Sequence, residues 1–310
     1  MSSPRGSGLY RRSKRPALSA HPAPPSGTPA AIDPAAQDSG ARNQVRQISS
    51  LTNDLVKDMR GLQSKKERAE TGLFLAEGLK LVTDAFAAGW TVRTLAYAEK
   101  VRSQPMVARA VDAALARGVD VVEVSEAVLE KISRRDNPQM VVSVIEQRFA
   151  AIEAINFDRA TVIVALEGIK DPGNLGTVIR TVDSVGASAV VLVGETTDPF
   201  AIEAVRATMG SIFHVPIAKA SAEAFITLVK AKRLAVYGTH LAGAVDYRSP
   251  DYPEPAVLLM GNEQSGLPQV LVDACTEVIK IPMAGQADSL NLAVATGVAL
   301  YEMRRKRLKL

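Results

Sequence analysis

An α/β fold in two successive units is predicted by three observations. From about Ile48 to the C-terminus, helix-period segments alternate with short apolar runs. In the second half those runs are continuously apolar, the pattern of parallel strands covered on both faces. Finally, 310 residues with 47% hydrophobic side chains suffice for two cores, and residues 147–158, which show neither period, divide them as a linker.

Residues 1–46 are rich in Pro, Ser and Ala and show no period, so they read as a disordered extension. They hold seven basic side chains against Asp33 and Asp38, a net of +5 within a total of +4, leaving about −1 on the folded body. Any basic surface there must be local. The first 32 residues are Arg-bearing, Ser-rich and free of acids. Two readings stand: an unstructured extension on a bacterial, cytoplasmic protein, or an organellar transit peptide leading to an organelle matrix. No apolar run approaches the ~18 to 20 residues of a membrane span, which excludes an integral membrane protein of helical type. The single Cys275 cannot form an internal disulfide, and with only His21, His214 and His240 beside it no zinc spacing exists; a reducing compartment and no metal are expected.

In the first unit, residues 53–62 form a basic amphipathic helix, 74–76 a short strand ended by Glu77-Gly78, and 79–88 a helix closed by Gly89. Residues 94–98, 119–124 and 140–145 are further strands. Lys57, Arg60, Lys65, Lys66 and Arg68 fall within twelve residues, opposed by Asp58 and Glu67. This is either an RNA-facing patch or a solvated helix face. In the second unit, strands are expected at 162–166, 189–193, 234–237, 257–260 and 278–281. Asp198-Pro199 predicts a helix start ended by Gly210, and Pro268 opens another helix. The last helix spans about 290–309, with Leu290, Val294, Val298 and Tyr301 on one stripe, and its basic end 304–307 complements the helix dipole without needing RNA.

Ligands of open parallel sheets bind beyond the carboxyl ends of the strands, so the loops there are the candidates. The first runs from Glu167 to Gly176; its glycines permit tight turns, and Asn174 and Arg180 offer polar groups at the strand end and in the first turn of the next helix. The second, Gly261 to Pro268, carries Glu263 between two glycines; the third, Pro282 to Asn291, offers Ser289 as a helix cap and Asn291 as a first-turn residue. Each alone is also an ordinary strand-to-helix turn. The Gly-x-Gly-x-x-Gly, Walker and Gly-x-Ser-x-Gly patterns are missing, which removes the usual support for nicotinamide chemistry, nucleotide hydrolysis and serine hydrolysis.

Together the loops are more specific. Asn174-x-Gly176-x-x-x-Arg180, Met260-Gly261-Asn262-Glu263-x-x-Gly266-Leu267 and Ile281-Pro282-Met283-x-Gly285-x-x-x-Ser289-Leu290-Asn291 resemble the three ordered motifs of the SpoU (TrmH-like) branch of the SPOUT RNA methyltransferases. The stretch from Asn53 to Gly78 is similar to the L30e-like substrate-binding domain that precedes the catalytic domain in rRNA ribose methyltransferases of this family. The resemblance implies a trefoil-knotted α/β catalytic domain over 158–310, preceded by a small L30e-like α/β domain over 47–147. It also implies S-adenosylmethionine bound in the knot and an active site completed across a homodimer. Thr239, Gly261, Ile281, Pro282 and Leu290 are then the cofactor contacts. The reaction implied is methyl transfer to a ribose 2′-hydroxyl of RNA, with Arg180 activating the hydroxyl and Asn174, Glu263, Ser289 and Asn291 orienting that arginine or the ribose phosphate. Arginine is normally protonated, so a base role and electrostatic stabilisation of the developing alkoxide both stand. The front domain favours large-subunit rRNA as substrate; a tRNA target and a non-catalytic assembly protein on the same scaffold are the alternatives.

Overall fold

The computed structural model describes residues 44–134, 136–155, 157, 162–240 and 244–308. The basic extension up to residue 43, linker positions 156 and 158, and Lys309 lie outside them. The first sheet opens with β1 (Arg46–Ile48). Then α1 (Asp54–Gly61) is capped by Asn53, whose side chain accepts the Leu55 backbone N–H, and buries Val56 and Met59. α2 (Lys65–Thr71) ends on Gly72 in the left-handed region and feeds β2 (Leu73–Glu77). α3 (Leu79–Ala87), β3 (Val92–Ala98), α4 (Pro105–Leu115), β4 (Asp120–Val124), α5 (Glu126–Ser133) and β5 (Val141–Glu146) follow. The order is β1-β4-β3-β5-β2, with β1, β4 and β3 parallel and β5 antiparallel to both its neighbours. Arg46 therefore belongs to an edge strand rather than to the extension.

The second sheet comprises β6 (Val162–Glu167), α6 (Pro172–Ser184), β7 (Ala189–Val193), α7 (Ile202–Thr208), β8 (Ile217–Ala220), α8 (Ala222–Ala231), β9 (Ala235–Thr239), β10 (Val245–Asp246), β11 (Ala256–Met260), α9 (Gln269–Val272), β12 (Glu277–Lys280) and α10 (Leu292–Arg304). Its order is β10-β12-β9-β11-β6-β7-β8, and its pairings are parallel, as the apolar runs require. Val162, Val164 and Leu166 face one core with Val178 of α6 and Leu300 of α10, whereas Ile163 and Ala165 face another with Phe225 of α8 and Leu271 of α9. α6 and α7 approach so closely that a Cβ on Gly176 would lie 2.3 Å from the Ala204 carbonyl oxygen, which explains the glycine in the first motif. No helix among the described residues is long and apolar enough to cross a membrane.

The two sheets share one continuous core. Phe74 of β2 meets Phe200 with ring centroids 4.8 Å apart, Trp90 meets Phe213 at 5.2 Å, and the Trp90 indole N–H donates to the Phe213 carbonyl at 3.1 Å. Phe74 and Phe200 are fully buried, each stabilising the joint by about 1.5–3 kcal/mol. Two ion pairs cross the same seam: Arg68 to Asp198 at 2.7 Å and Arg206 to Glu77 at 2.6 Å.

Arg68 thus departs from its expected place on the surface. The basic cluster of residues 57–68 suggested that it faces RNA, but it is buried, its Nη1 donating to the Leu62 and Gln63 carbonyls at 2.9 Å and its Nε to Asp198. Asp198 in turn accepts the Phe200 backbone N–H at 2.9 Å. Committed to these partners, it does not cap the next helix, and α7 starts at Ile202 instead of at Pro199.

α10 begins at Leu292, so Leu290 precedes it, and the predicted stripe faces outward: Val294 and Tyr301 are each 52% exposed. The helix turns Ala299, Leu300 and Met303 to the core. Its basic end is paired locally, Arg304 and Arg307 with Glu254, Arg305 with Glu302 and Lys306 with Asp251, so it needs no polyanion.

Candidate active site

β6 and β11 are adjacent at the centre of the second sheet, yet the chain leaves β6 toward β7 and β8 and returns on the other side. That reversal opens a crevice at the carboxyl ends of the strands. β9 and β12 stand next in the sheet, so the loops after β6, β11 and β12 and the end of β9 converge there. Pairing of Leu166 with Met260 sets Glu167 beside Gly261.

Each loop is built by its own hydrogen bonds. Asp171 caps α6, its carboxylate accepting the Asn174 backbone N–H at 2.6 Å, with Pro172 at the first helical position. Asn262 donates to the Gly168 carbonyl at 2.7 Å and accepts the Gln264 and Ser265 backbone N–H groups at 2.9 and 3.2 Å, tying the second loop to the first. A Cβ on Gly261 would lie 2.4 Å from the Gly266 carbonyl carbon, so that turn closes only with glycine. Asn291 caps α10, accepting the Ala293 and Val294 backbone N–H groups. Ser289, expected as that cap, is exposed and donates to Asp288 at 3.2 Å.

Three expected residues meet. Asn291 Nδ2 donates to Asn174 Oδ1 at 2.9 Å, and Asn174 Nδ2 donates to Glu263 Oε1 at 3.2 Å, one chain across three loops. Beside it lies a cavity of about 640 Å³, lined by Thr239, Gly261, Ile281 and Leu290 together with Met260, Ile279 and Leu292. Its aliphatic wall and close backbone suit an uncharged heterocycle, and its lining carries both signs, Glu263 and Asp288 for a cationic sulfonium or ammonium and Lys280 for a carboxylate. The expected S-adenosylmethionine fits these residues. Pro282 does not line the cavity.

Arg180 stands apart. Because α6 begins at Pro172, this residue falls in the third turn, not the first; it is exposed and off the cavity, and among the described residues its side chain has no hydrogen-bond or ion-pair partner. Of the basic cluster on the first sheet, Lys57, Arg60, Lys65 and Lys66 are exposed. Lys57 pairs with Asp54 at 2.8 Å and Lys66 with Glu70 at 3.8 Å, salt bridges of small worth in water.

Glu167 was not singled out by the sequence, although a carboxylate closing a wholly apolar strand was the signal. Its Oε2 is buried without a hydrogen-bond partner. Burial pushes this carboxyl above its ordinary value of 4.5, against the Asn262 backbone N–H and the Lys170 ammonium, which both lower it. A raised native pKa means that the group's contribution is fully present below the unfolded value and is lost as pH rises through the native one. Chemical denaturation across pH should therefore show the parent losing stability relative to Glu167→Gln as pH rises from about 4. Parallel curves would mean that the carboxyl titrates alike in both states.

Comparison with known proteins locates both halves. Residues 161–301 match the SpoU rRNA Methylase family and residues 53–143 the MRM3-like substrate binding domain. The chain is 32% identical over 263 residues to the 23S rRNA (guanosine(2553)-2′-O)-methyltransferase of Bacillus subtilis, covering 84% of this chain and all of that one. It is 32% identical to the 23S rRNA (uridine(2479)-2′-O)-methyltransferase of Streptomyces viridochromogenes, covering 80% of this chain and 88% of that protein. An AdoMet-bound rRNA methyltransferase from Sinorhizobium meliloti superposes with a TM-score of 0.81 at 53% identity, covering 86% of this chain and 99% of that one.

Proposed function

The chain belongs to the SpoU rRNA methylase family and is an S-adenosylmethionine-dependent RNA 2′-O-ribose methyltransferase, and from that premise we propose that it modifies one site in large-subunit rRNA as a homodimer. The observation that carries the reading is the Asn291–Asn174–Glu263 chain at the edge of the cofactor-sized cavity. When bound, S-adenosylmethionine supplies an electrophilic methyl group on a good leaving group. Gly261, Ile281, Leu290 and Thr239 hold it, and the hydrogen-bonded chain orients the acceptor ribose.

The hydroxyl must shed its proton to water as the new bond forms, and catalysis is positioning plus stabilisation of the emerging oxyanion. Arg180 supplies that stabilisation to the crevice of the second subunit. Its absence from the lining of its own crevice supports this assignment, as do the outward stripe of Val294 and Tyr301 and the exposed run of residues 282–290, surfaces that a second copy would cover. The insertion of β12 between β10 and β9, with α10 packing back on α6, supports a C-terminal segment threaded as a trefoil knot. Residues 47–147 serve as the RNA-binding domain through Lys57, Arg60, Lys65 and Lys66, and a single cysteine in 310 residues favours a reducing compartment, such as the cytoplasm.

Transfer of labelled methyl from S-adenosylmethionine to unmodified total RNA, followed by mapping of alkali-resistant linkages, tests the reading. A single resistant linkage in large-subunit rRNA is expected. A site in tRNA would overturn the substrate, and cofactor binding without transfer to any RNA or ribosomal particle would point to an assembly protein.

A further inference from the structure

A second cavity, of about 420 Å³, adjoins the first and shares Asn262, Glu263, Gln264 and Asn291 with it. Its remaining lining is Lys170, Asp171 and Asn174, so every side chain of its wall carries a polar or charged group. Most of these side chains are already engaged. Asn174 is held between Asn291 and Glu263, Asp171 accepts the Asn174 backbone N–H, and Asn262 joins the first and second loops. Lys170 and Gln264 retain capacity: the Lys170 ammonium, with three protons, donates one to the Glu195 carbonyl at 3.0 Å, which fixes it at the end of β6.

Lys170 is also the one cation on a wall that carries two carboxylates, Asp171 and Glu263. An RNA strand entering past these would be repelled without it. We propose that this second cavity receives the acceptor nucleotide and that Lys170 binds a backbone phosphate flanking its ribose, while Gln264, on the boundary between the two cavities, faces the nucleotide beside the methyl donor. The inference rests on the methyltransferase reading above. It adds a phosphate contact to the positioning of the ribose, and the RNA is recognised here by its charged backbone and not by its sequence.

Lys170→Ala and Lys170→Arg, each in the full chain, test it by RNA binding over a series of salt concentrations, alongside S-adenosylmethionine affinity and steady-state transfer. For Lys170→Ala, RNA affinity should fall about tenfold, and the slope of log affinity against log salt should flatten by about 0.7, the share of one phosphate on a single strand. KM for RNA should rise with kcat and cofactor affinity retained, and Lys170→Arg should restore both affinity and slope. An unchanged salt slope, or a loss confined to kcat or to cofactor affinity, would overturn the phosphate assignment. Failure of the parent protein to methylate RNA while it still binds RNA with a Lys170-dependent slope would instead refute the methyltransferase reading and leave the phosphate contact standing. A parent that does neither refutes both.

Discussion

Arg180→Ala should slow methyl transfer by at least about 100-fold while leaving S-adenosylmethionine affinity unchanged. The expected size follows from removing a charged donor aimed at an oxygen that becomes negative only in the transition state. Cofactor affinity is spared because Arg180 does not line the cavity beside Thr239, Gly261 and Leu290. The same geometry makes a sharper experiment available. Mixed dimers of Arg180→Ala with Leu290→Arg, which fills the cofactor wall, should regain activity that neither parent has, since one composite site then keeps both the arginine and an open cavity. Near-parental turnover by Arg180→Ala would remove the residue from the mechanism, and failure of complementation with intact dimers would return it to its own subunit.

Arg68→Ala should cost about 3–5 kcal/mol of unfolding free energy, the effect of leaving a buried carboxylate without its partner. The pair has side-chain exposures of 5% and 14%, so little solvent screens it. Asp198→Ala should be comparably damaging, and the double variant should lose less than the sum, because the second removal takes away the charge that the first left stranded. Urea denaturation of the three variants measures this. A loss under about 1 kcal/mol for Arg68→Ala would rank the pair with surface salt bridges.

The strands at the centre of the second sheet were readable because burial on both faces leaves a continuous apolar run, as in Val162 to Leu166 and Ala189 to Val193. β1, β8 and β10 were not, being two to four residues long at or near sheet edges, where no period can establish itself. The crevice followed from motif order plus the rule that ligands sit beyond strand ends. Asn174, Glu263 and Asn291 were legible in that way, and the hydrogen bonds that join them were not.

Arg68 was misread for a physical reason. Counting charge along 57–68 cannot reveal a partner 130 positions away. Ser289 and Asn291 are both competent caps, and only the start of α10 distinguishes them. Glu167 and Lys170 precede the first motif and Gln264 fills an unassigned position of the second, and what sets them apart is the burial or exposure that the folded loops impose.

The bond between Asn174 and Asn291 joins residues 117 positions apart, and the bond from Asn174 to Glu263 spans 89. Such contacts return nothing until the intervening chain has paid its loop-closure entropy, so they form late in folding. Synthesis adds its own order: a nascent chain carrying the whole of β6 and α6 still lacks Asn291 and α10. The pocket edge is therefore among the last parts of the molecule to mature, and chains truncated before residue 291 should be unable to hold the methyl donor however well the first sheet has folded.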